Sequence, residues 1–228
     1  MIETLQNNLE QIRQRMSDAA RKSGRGVESV KLVGVTKYVD ALTTRKLFEA
    51  GCTELGESRP QSLWDKAEQL EDVPVVWHMI GHLQRNKVKR TIACADLIHS
   101  VDSLRLIDTI ENAALEPVRV LLEVNVSEES AKHGFRSNEI EEALAHVSGL
   151  KNVVVEGLMC MAGLAGSLDD ARREFESLRL LRDKHQGLDA ANVNLSELSM
   201  GMSGDYEVAI EEGATIVRIG SSLFEGIR

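Results

Sequence analysis

Residues 31–37 read KLVGVTK, a short apolar run with two valines that ends in a lysine. Such a run is typical of a parallel strand that is covered on both faces. Seven further β-rich runs follow along the chain, and several of them are also nearly continuous apolar runs. They are TELGE (53–57), VVWHMIG (75–81), DLIHSV (96–101), VRVLLEVNV (118–126), VVVEGLM (153–159), NLSELSM (194–200) and TIVRIG (215–220).

Helix-like stretches separate these runs, near residues 40–50, 59–71, 83–93, 103–114, 137–148, 169–186 and 204–212. Eight strands that alternate with helices in about 200 residues predict an α/β fold, a single (β/α)8 barrel of TIM type. A doubly wound open sheet is the competing architecture. In a barrel the C-terminal ends of the strands carry the chemistry, so the residues after each strand are candidates for a site.

An apolar stripe with spacings of three and four precedes the first strand, as on one face of a helix. It consists of Ile2, Leu5, Leu9, Ile12, Met16 and Ala19. We predict an additional N-terminal helix over residues 1–23, packed on the barrel. The stripe could instead cover another subunit, so a monomer and a weak homodimer both stay open. No Pro/Gly-rich linker interrupts the sequence, and residues 1–228 are predicted to form one domain.

The composition argues against several classes of protein. A formal net charge of −9 disfavours binding to nucleic acid, which needs clustered Lys and Arg. No window approaches the roughly 18 apolar residues of a membrane helix, and the first residues do not resemble a secretion signal. The three cysteines are far apart, and the six histidines show no metal-ligand spacing. We expect a cytoplasmic protein without a membrane anchor or a metal.

Lys37 is the first candidate for chemistry. Strand alternation puts it on the same side as Val33 and Val35, which would point it into the mouth of a barrel. Desolvation there would lower the pKa of the lysine, and a neutral amine can attack an aldehyde. The alternative is an ordinary strand-end lysine in solvent.

Arg218 is the second candidate, because it lies between Val217 and Ile219 in the last predicted strand. A guanidinium in such a strand is costly to bury unless it is paired. Its partner could be a carboxylate such as Glu57 or Glu123. It could equally be a ring nitrogen or an anionic group of a ligand.

Two Gly/Ser loops follow the last two predicted strands, one with Met202-Ser203-Gly204 and one with Gly220-Ser221. Backbone N–H groups and hydroxyls in such loops bind anions, and barrels often hold phosphate there. A lysine for an aldehyde, an arginine for a ring nitrogen and these loops for phosphate together describe pyridoxal 5'-phosphate (PLP).

Other residues near strand ends are less decisive. His78 could line the mouth or be a hydrogen-bonded structural histidine. Met202 could pack against a cofactor ring or fill space. Lys132 is interpreted as a solvated loop residue.

The sequence also resembles a known family. The motifs VGVTK, GESRPQS, WHMIGHLQRNK, SVDSL, VNVSEESAKHGF, GLMCM and LSMGMSGDYEVAIEEGATIVRIGSSLFEG are similar, in order and spacing, to those of the PLP-binding, PLP homeostasis protein family. The resemblance runs from about residue 30 to the C-terminus. Members of that family are single-domain barrels of the alanine racemase N-terminal type.

The resemblance implies that Lys37 forms the Schiff base and that Arg218 faces the pyridine nitrogen. It also implies that Ser203, Gly220 and Ser221 hold the phosphate. Ser58 stands where the family usually has asparagine and is included among the predicted cofactor contacts, together with Met202 and His78. The family's Lys-Pro after the Schiff-base lysine is absent here. Its Gly-Pro-Leu-Gln is Gly-His-Leu-Gln at 81–84.

The expected function is a cofactor carrier that holds PLP reversibly and passes it to PLP-dependent apo-enzymes. An efficient enzyme is not expected, because racemisation needs acid–base groups on both faces of the substrate carbon. Tyr38 should point away from Lys37, and Tyr206 begins a helix. The alternatives are an amino-acid racemase of the alanine racemase type, and a phosphate-binding barrel without PLP in which Lys37 pairs electrostatically.

Overall fold

Eight parallel strands close into a barrel in chain order, from β1 next to β2 round to β8 next to β1, in a computed structural model that describes residues 1–127, 133–163 and 166–227. The strands are β1 Lys31–Val35, β2 Glu54–Glu57, β3 Val76–Met79, β4 Leu97–Val101, β5 Val118–Glu123, β6 Val153–Met159, β7 Val193–Ser199 and β8 Ile216–Ile219. The predicted (β/α)8 barrel is confirmed, and the open sheet is wrong. Lys132 lies outside the described residues.

Helices alternate with the strands on the outside of the barrel. They are α1 Ile2–Lys22, α2 Ala41–Glu49, α3 Pro60–Gln69, α4 Val88–Thr91, α5 Leu104–Ala113, α6 Ile140–Ser148, α7 Leu168–His185 and α8 Tyr206–Glu211. Short 3-10 turns occupy Val27–Ser29, Arg85–Lys87, Ser137–Glu139 and Ser221–Phe224. None of the described helices combines the length and apolarity needed to cross a bilayer.

Helix α1 buries its apolar stripe, including Leu5 and Leu9, against the outside of the barrel. Asn8 anchors it to the turn after β8, because its Nδ2 donates to the Leu223 and Glu225 carbonyls at 3.0 and 2.9 Å. The packing of a helix over residues 1–23 therefore agrees with the expectation. The assignment of residues 1–228 to one domain stays a prediction.

Inside the barrel, side chains from alternate strand positions form a small apolar layer. It consists of Val33, Leu97, Leu121, Met159 and Ile216, all buried. Below this layer, at the N-terminal ends of the strands, charged side chains pair, as in the 2.6 Å contact between Lys31 Nζ and Glu197 Oε1. The opposite end of the barrel is open, and the cavity described next lies there.

Candidate functional site

A cavity of about 480 Å³ lies at the C-terminal ends of the strands. Seven of the eight predicted site residues line it: Lys37, Ser58, Met202, Ser203, Arg218, Gly220 and Ser221. The parallel topology explains this convergence, because the residues after each strand meet at one end of the barrel. The volume is of the size that binds a small cofactor.

Lys37 lies in a turn two residues beyond the end of β1 and is exposed, while still lining the cavity. The expectation that it ends the strand and is desolvated is wrong. The reason is local: Asp40 caps α2 by accepting a hydrogen bond from Thr43 N at 2.8 Å, so the chain must turn before it.

Tyr38 also departs from the expectation. It was predicted to point away from Lys37, but it lines the same cavity, and Lys37 Nζ lies 4.9 Å from the centre of its ring. An ammonium near a tyrosine ring at this distance makes a cation–π contact. The turn, rather than strand alternation, decides where both side chains point.

A buried ion pair supports the residue before Lys37. Lys66 Nζ donates to Glu57 Oε1 and, at 2.7 Å, to the Thr36 carbonyl, while the Thr36 hydroxyl donates to Glu57 Oε1 at 2.6 Å. Glu57 was considered as a partner for Arg218, and its partner is Lys66 instead. The sequence did carry a signal, because Lys66 lies three residues after Leu63 on the buried face of α3.

Arg218 is buried, with only 4% of its surface exposed. Its Nη1 donates to Ser199 Oγ at 2.6 Å and its Nη2 to the Cys160 carbonyl at 2.9 Å. A guanidinium has five N–H donors, so these two bonds leave donor capacity at the cavity wall. Burial lowers the pKa of Arg218 from its ordinary value, while Glu123 and Asp205 act in the opposite direction.

Glu123 shares the cavity with Arg218 and is 4% exposed. Burial, and after it the neighbouring Asp102 carboxylate, raise the pKa of the Glu123 carboxyl to about 7, although Arg218 opposes the rise. Glu123 was one of the two carboxylates considered for Arg218, and it influences the guanidinium through its charge. The site therefore contains an acid whose charge changes near neutral pH.

A hydrogen bond joins the loops after β7 and β8. Gly220 N donates to Ser203 Oγ at 3.2 Å, and Met202 N donates to Asp205 Oδ1 at 2.6 Å. Gly201 has φ +92°, and a Cβ there would approach Ala209 Cβ to 2.6 Å, so this turn requires glycine. The predicted phosphate residues are thus held in one place, next to the cavity.

His78 does not line the cavity and is the one predicted site residue that the structure places elsewhere. It is buried inside the barrel, with Nδ1 2.8 Å from His99 Nε2. Its Nε2 lies 3.2 Å from Glu54 Oε2, outside the geometry of a directed hydrogen bond. Because β3 ends at Met79, His78 is below the rim, as the alternative of a structural histidine predicts.

Three residues at the rim were not predicted: His82, Asp102 and His133. Asp102 Oδ2 lies 3.0 Å from His82 Nδ1 and 3.7 Å from His133 Nδ1, and the two rings stack at 4.2 Å. Their ligand atoms lie within 4.8 Å of one another, a set that could bind a divalent metal ion. They come from three different loops, so no spacing in the sequence reveals them.

Comparison with known proteins shows which family this chain resembles in sequence and in fold. The family model for the alanine racemase N-terminal domain matches residues 2–227. The pyridoxal phosphate homeostasis protein of Aquifex aeolicus is 42% identical over 95% of each chain. That of Escherichia coli is 34% identical over 96% of this chain and 94% of its own. The structure of PipY from Synechococcus elongatus with PLP bound superposes with a TM-score of 0.84 at 30% identity, covering 96% of this chain and 99% of PipY.

The closed barrel and the cavity at its C-terminal end define a protein of the alanine racemase N-terminal class. Within this class, the chain belongs to the pyridoxal phosphate homeostasis protein family. The family resemblance seen in the sequence motifs is confirmed.

Proposed function

We propose that this protein binds PLP through Lys37 and acts in PLP homeostasis, holding the cofactor and supplying it to apo-enzymes. The observation that carries the proposal is that one cavity of about 480 Å³ is lined by Lys37, by Arg218 and by the two loops that contain Ser203 and Gly220. The relatives named for PLP homeostasis and the PLP-bound PipY structure support it.

The residues of the cavity fit the three functional groups of PLP. The cofactor supplies an aldehyde, which condenses reversibly with an amine and releases one water. The exposed Lys37 amine is accessible to that aldehyde. Buried Arg218 offers N–H donors to a pyridine nitrogen and, being a permanent cation, disfavours protonation of that nitrogen. The hydroxyls of Ser203 and Ser221 offer donors to the phosphate, and the Gly220 N–H, which donates to Ser203 Oγ, holds the Ser203 hydroxyl at the cavity.

A carrier is favoured over a racemase by the groups around Lys37. Racemisation requires an acid and a base on opposite faces of the substrate carbon, and Tyr38 lies beside Lys37. Tyr206 is buried under Arg15, whose guanidinium carbon lies 5.3 Å from the centre of the ring. Neither tyrosine is placed for the opposite face.

The direct test combines spectroscopy with chemical trapping. The purified protein with PLP is expected to show a visible absorption band, and borohydride reduction followed by peptide mapping should place the pyridoxyl group on Lys37. Lys37→Ala should lose the band, whereas Lys89→Ala, an exposed lysine on α4 away from the cavity, should keep it. A label on another lysine, or a band that survives in Lys37→Ala, would refute the assignment. Phosphate binding without a band would favour the phosphate-binding barrel.

The carrier role has its own test. The loaded protein should restore activity to a PLP-dependent apo-enzyme under conditions in which free PLP is removed by a phosphatase. Chiral analysis of alanine and serine should show no steady turnover. Racemisation at ordinary enzymic rates would replace the carrier by the racemase.

Location and assembly complete the proposal. We expect a cytoplasmic protein, since reducing conditions there keep isolated cysteines such as Cys52 and Cys94 as thiols. In solution we expect a monomer or a weak homodimer, with PLP and its apo-enzymes as the partners and no role for nucleic acid or membranes.

A further inference from the structure

A buried row of polar side chains runs from Arg218 through the barrel interior towards its opposite end. Arg218 Nη1 lies 2.6 Å from Ser199 Oγ, which lies 2.8 Å from His99 Nδ1. His99 Nε2 lies 2.8 Å from His78 Nδ1, and His78 Nε2 lies 3.2 Å from Glu54 Oε2. Ser199 and His99 are fully buried, and His78 is 3% exposed. The row joins five strands, β8, β7, β4, β3 and β2.

The chemistry of the two ends favours one direction for the three hydrogen bonds in the row. Arg218 can only donate, so Ser199 Oγ accepts from it, and the Ser199 hydroxyl proton can point to His99 Nδ1. At the other end the Glu54 carboxylate attracts a proton on His78 Nε2. His78 Nδ1 then accepts from His99 Nε2. Both ends therefore favour the same tautomer of His99, with its proton on Nε2.

The surroundings of His99 agree with this neutral form. Burial lowers the pKa of His99 well below its ordinary value, and the nearby His78, Arg218 and Lys31 add to the effect. When His99 is neutral and keeps one tautomer, all the hydrogen bonds of the row point the same way. Hydrogen bonds aligned in this manner polarise and strengthen one another.

We propose that Ser199 and His99, supported by His78, are positioning residues that hold the Arg218 guanidinium towards the pyridine nitrogen of PLP. This inference rests on the proposed function. Without the row, Arg218 would lose its bond partner on one side, and the Glu123 carboxylate in the same cavity would attract it away from the cofactor. The ordinary alternative is that the row only satisfies polar groups inside the barrel.

Two substitutions of His99 separate these roles. His99→Gln keeps an acceptor for Ser199 and a donor for His78, at a separation similar to that of the two ring nitrogens. His99→Leu keeps the bulk and removes both. With PLP loaded, His99→Leu should shift the visible absorption maximum and release PLP about tenfold faster, the factor expected from one lost neutral hydrogen bond behind Arg218. His99→Gln should stay near the wild-type spectrum and rate. His146→Gln, at an exposed histidine that contacts Asp108, is the matched control.

A purely structural role predicts a different pattern. Both variants would then lose thermal stability while the spectrum and release rate of the folded, loaded protein stayed at wild-type values, and that result would overturn the proposal. Should His99→Leu fail to fold, Ser199→Ala tests the same link from the neighbouring residue, with the same expected shift and faster release.

The direction of the bonds can be measured without PLP, which separates this inference from the proposed function. Histidine 15N chemical shifts of the cofactor-free protein should show His99 neutral, with its proton on Nε2, from pH 5.5 to 8. A proton on Nδ1, or a doubly protonated ring in that range, would overturn the row. Failure to bind PLP together with the expected tautomer would refute the proposed function alone.

Discussion

Glu123 shows what a single residue can contribute at the mouth of the barrel. Its carboxyl is buried beside Asp102 and Arg218, and its pKa is raised from 4.5 to about 7. Between these two values the folded protein binds a proton that the unfolded chain has released. The contribution of Glu123 to stability is therefore fully present below pH 4.5 and is lost as the pH rises through about 7.

Replacing Glu123 by Gln removes this dependence. Between pH 4.5 and pH 8 the wild type should lose up to about 3 kcal/mol of unfolding free energy that the Glu123→Gln variant keeps. Urea denaturation of the cofactor-free proteins measures it. Glu10→Gln, at an exposed position of α1, should follow the wild type throughout. A constant difference for Glu123→Gln across this range would contradict the raised pKa.

At the scale of elements, β6 and β7 come unusually close. Their register shifts between Val155 and Gly157, and a Cβ on Gly157 would lie 1.9 Å from the Glu197 carbonyl oxygen. The close approach aligns the upper halves of both strands, and with them Ser199, which receives the Arg218 bond.

Gly157→Ala should therefore destabilise the protein by more than about 2 kcal/mol, since the backbone of one strand has to move. Gly187→Ala provides the matched control, because a Cβ there meets nothing within 4 Å. This control should be neutral or slightly stabilising, by up to about 1 kcal/mol. Equal midpoints for the two variants in urea would show that the strands can separate without cost.

The elements also show which parts of the structure the sequence reveals. Several strands were predictable because parallel strands buried on both faces are nearly continuous apolar runs, and β6 begins and ends at the predicted residues. The end of β1 was not, because strand alternation alone does not show that the chain turns before the Asp40 cap of α2. The row through His99 was also missed, since strands distant in sequence bring its members together only when the barrel closes. Alternation with Leu97 did indicate that His99 points inwards.

For the whole molecule, binding of PLP should increase the free energy of unfolding and raise the Tm. A ligand at a hundred times its dissociation constant stabilises the folded state by about 2.7 kcal/mol, or about 5–10 °C in Tm for a protein of this size. Differential scanning fluorimetry with PLP should show this rise, and Lys37→Ala should show a smaller one. Pyridoxal, which lacks the phosphate, should raise the Tm less than PLP does at the same concentration. Equal shifts for the two ligands would argue against a phosphate site at Ser203 and Gly220.

Closure of the barrel pairs β1 with β8, so that Val33 is opposite Arg218. In chain order Lys37 follows β1 and Arg218 lies in β8, so the ribosome makes the amine well before the guanidinium. A nascent chain that has not yet reached β8 has the Lys37 amine but lacks the Arg218 guanidinium. If both residues hold PLP as proposed, firm capture of the cofactor has to wait until β8 has been made, and a chain that stops before β8 should bind PLP weakly.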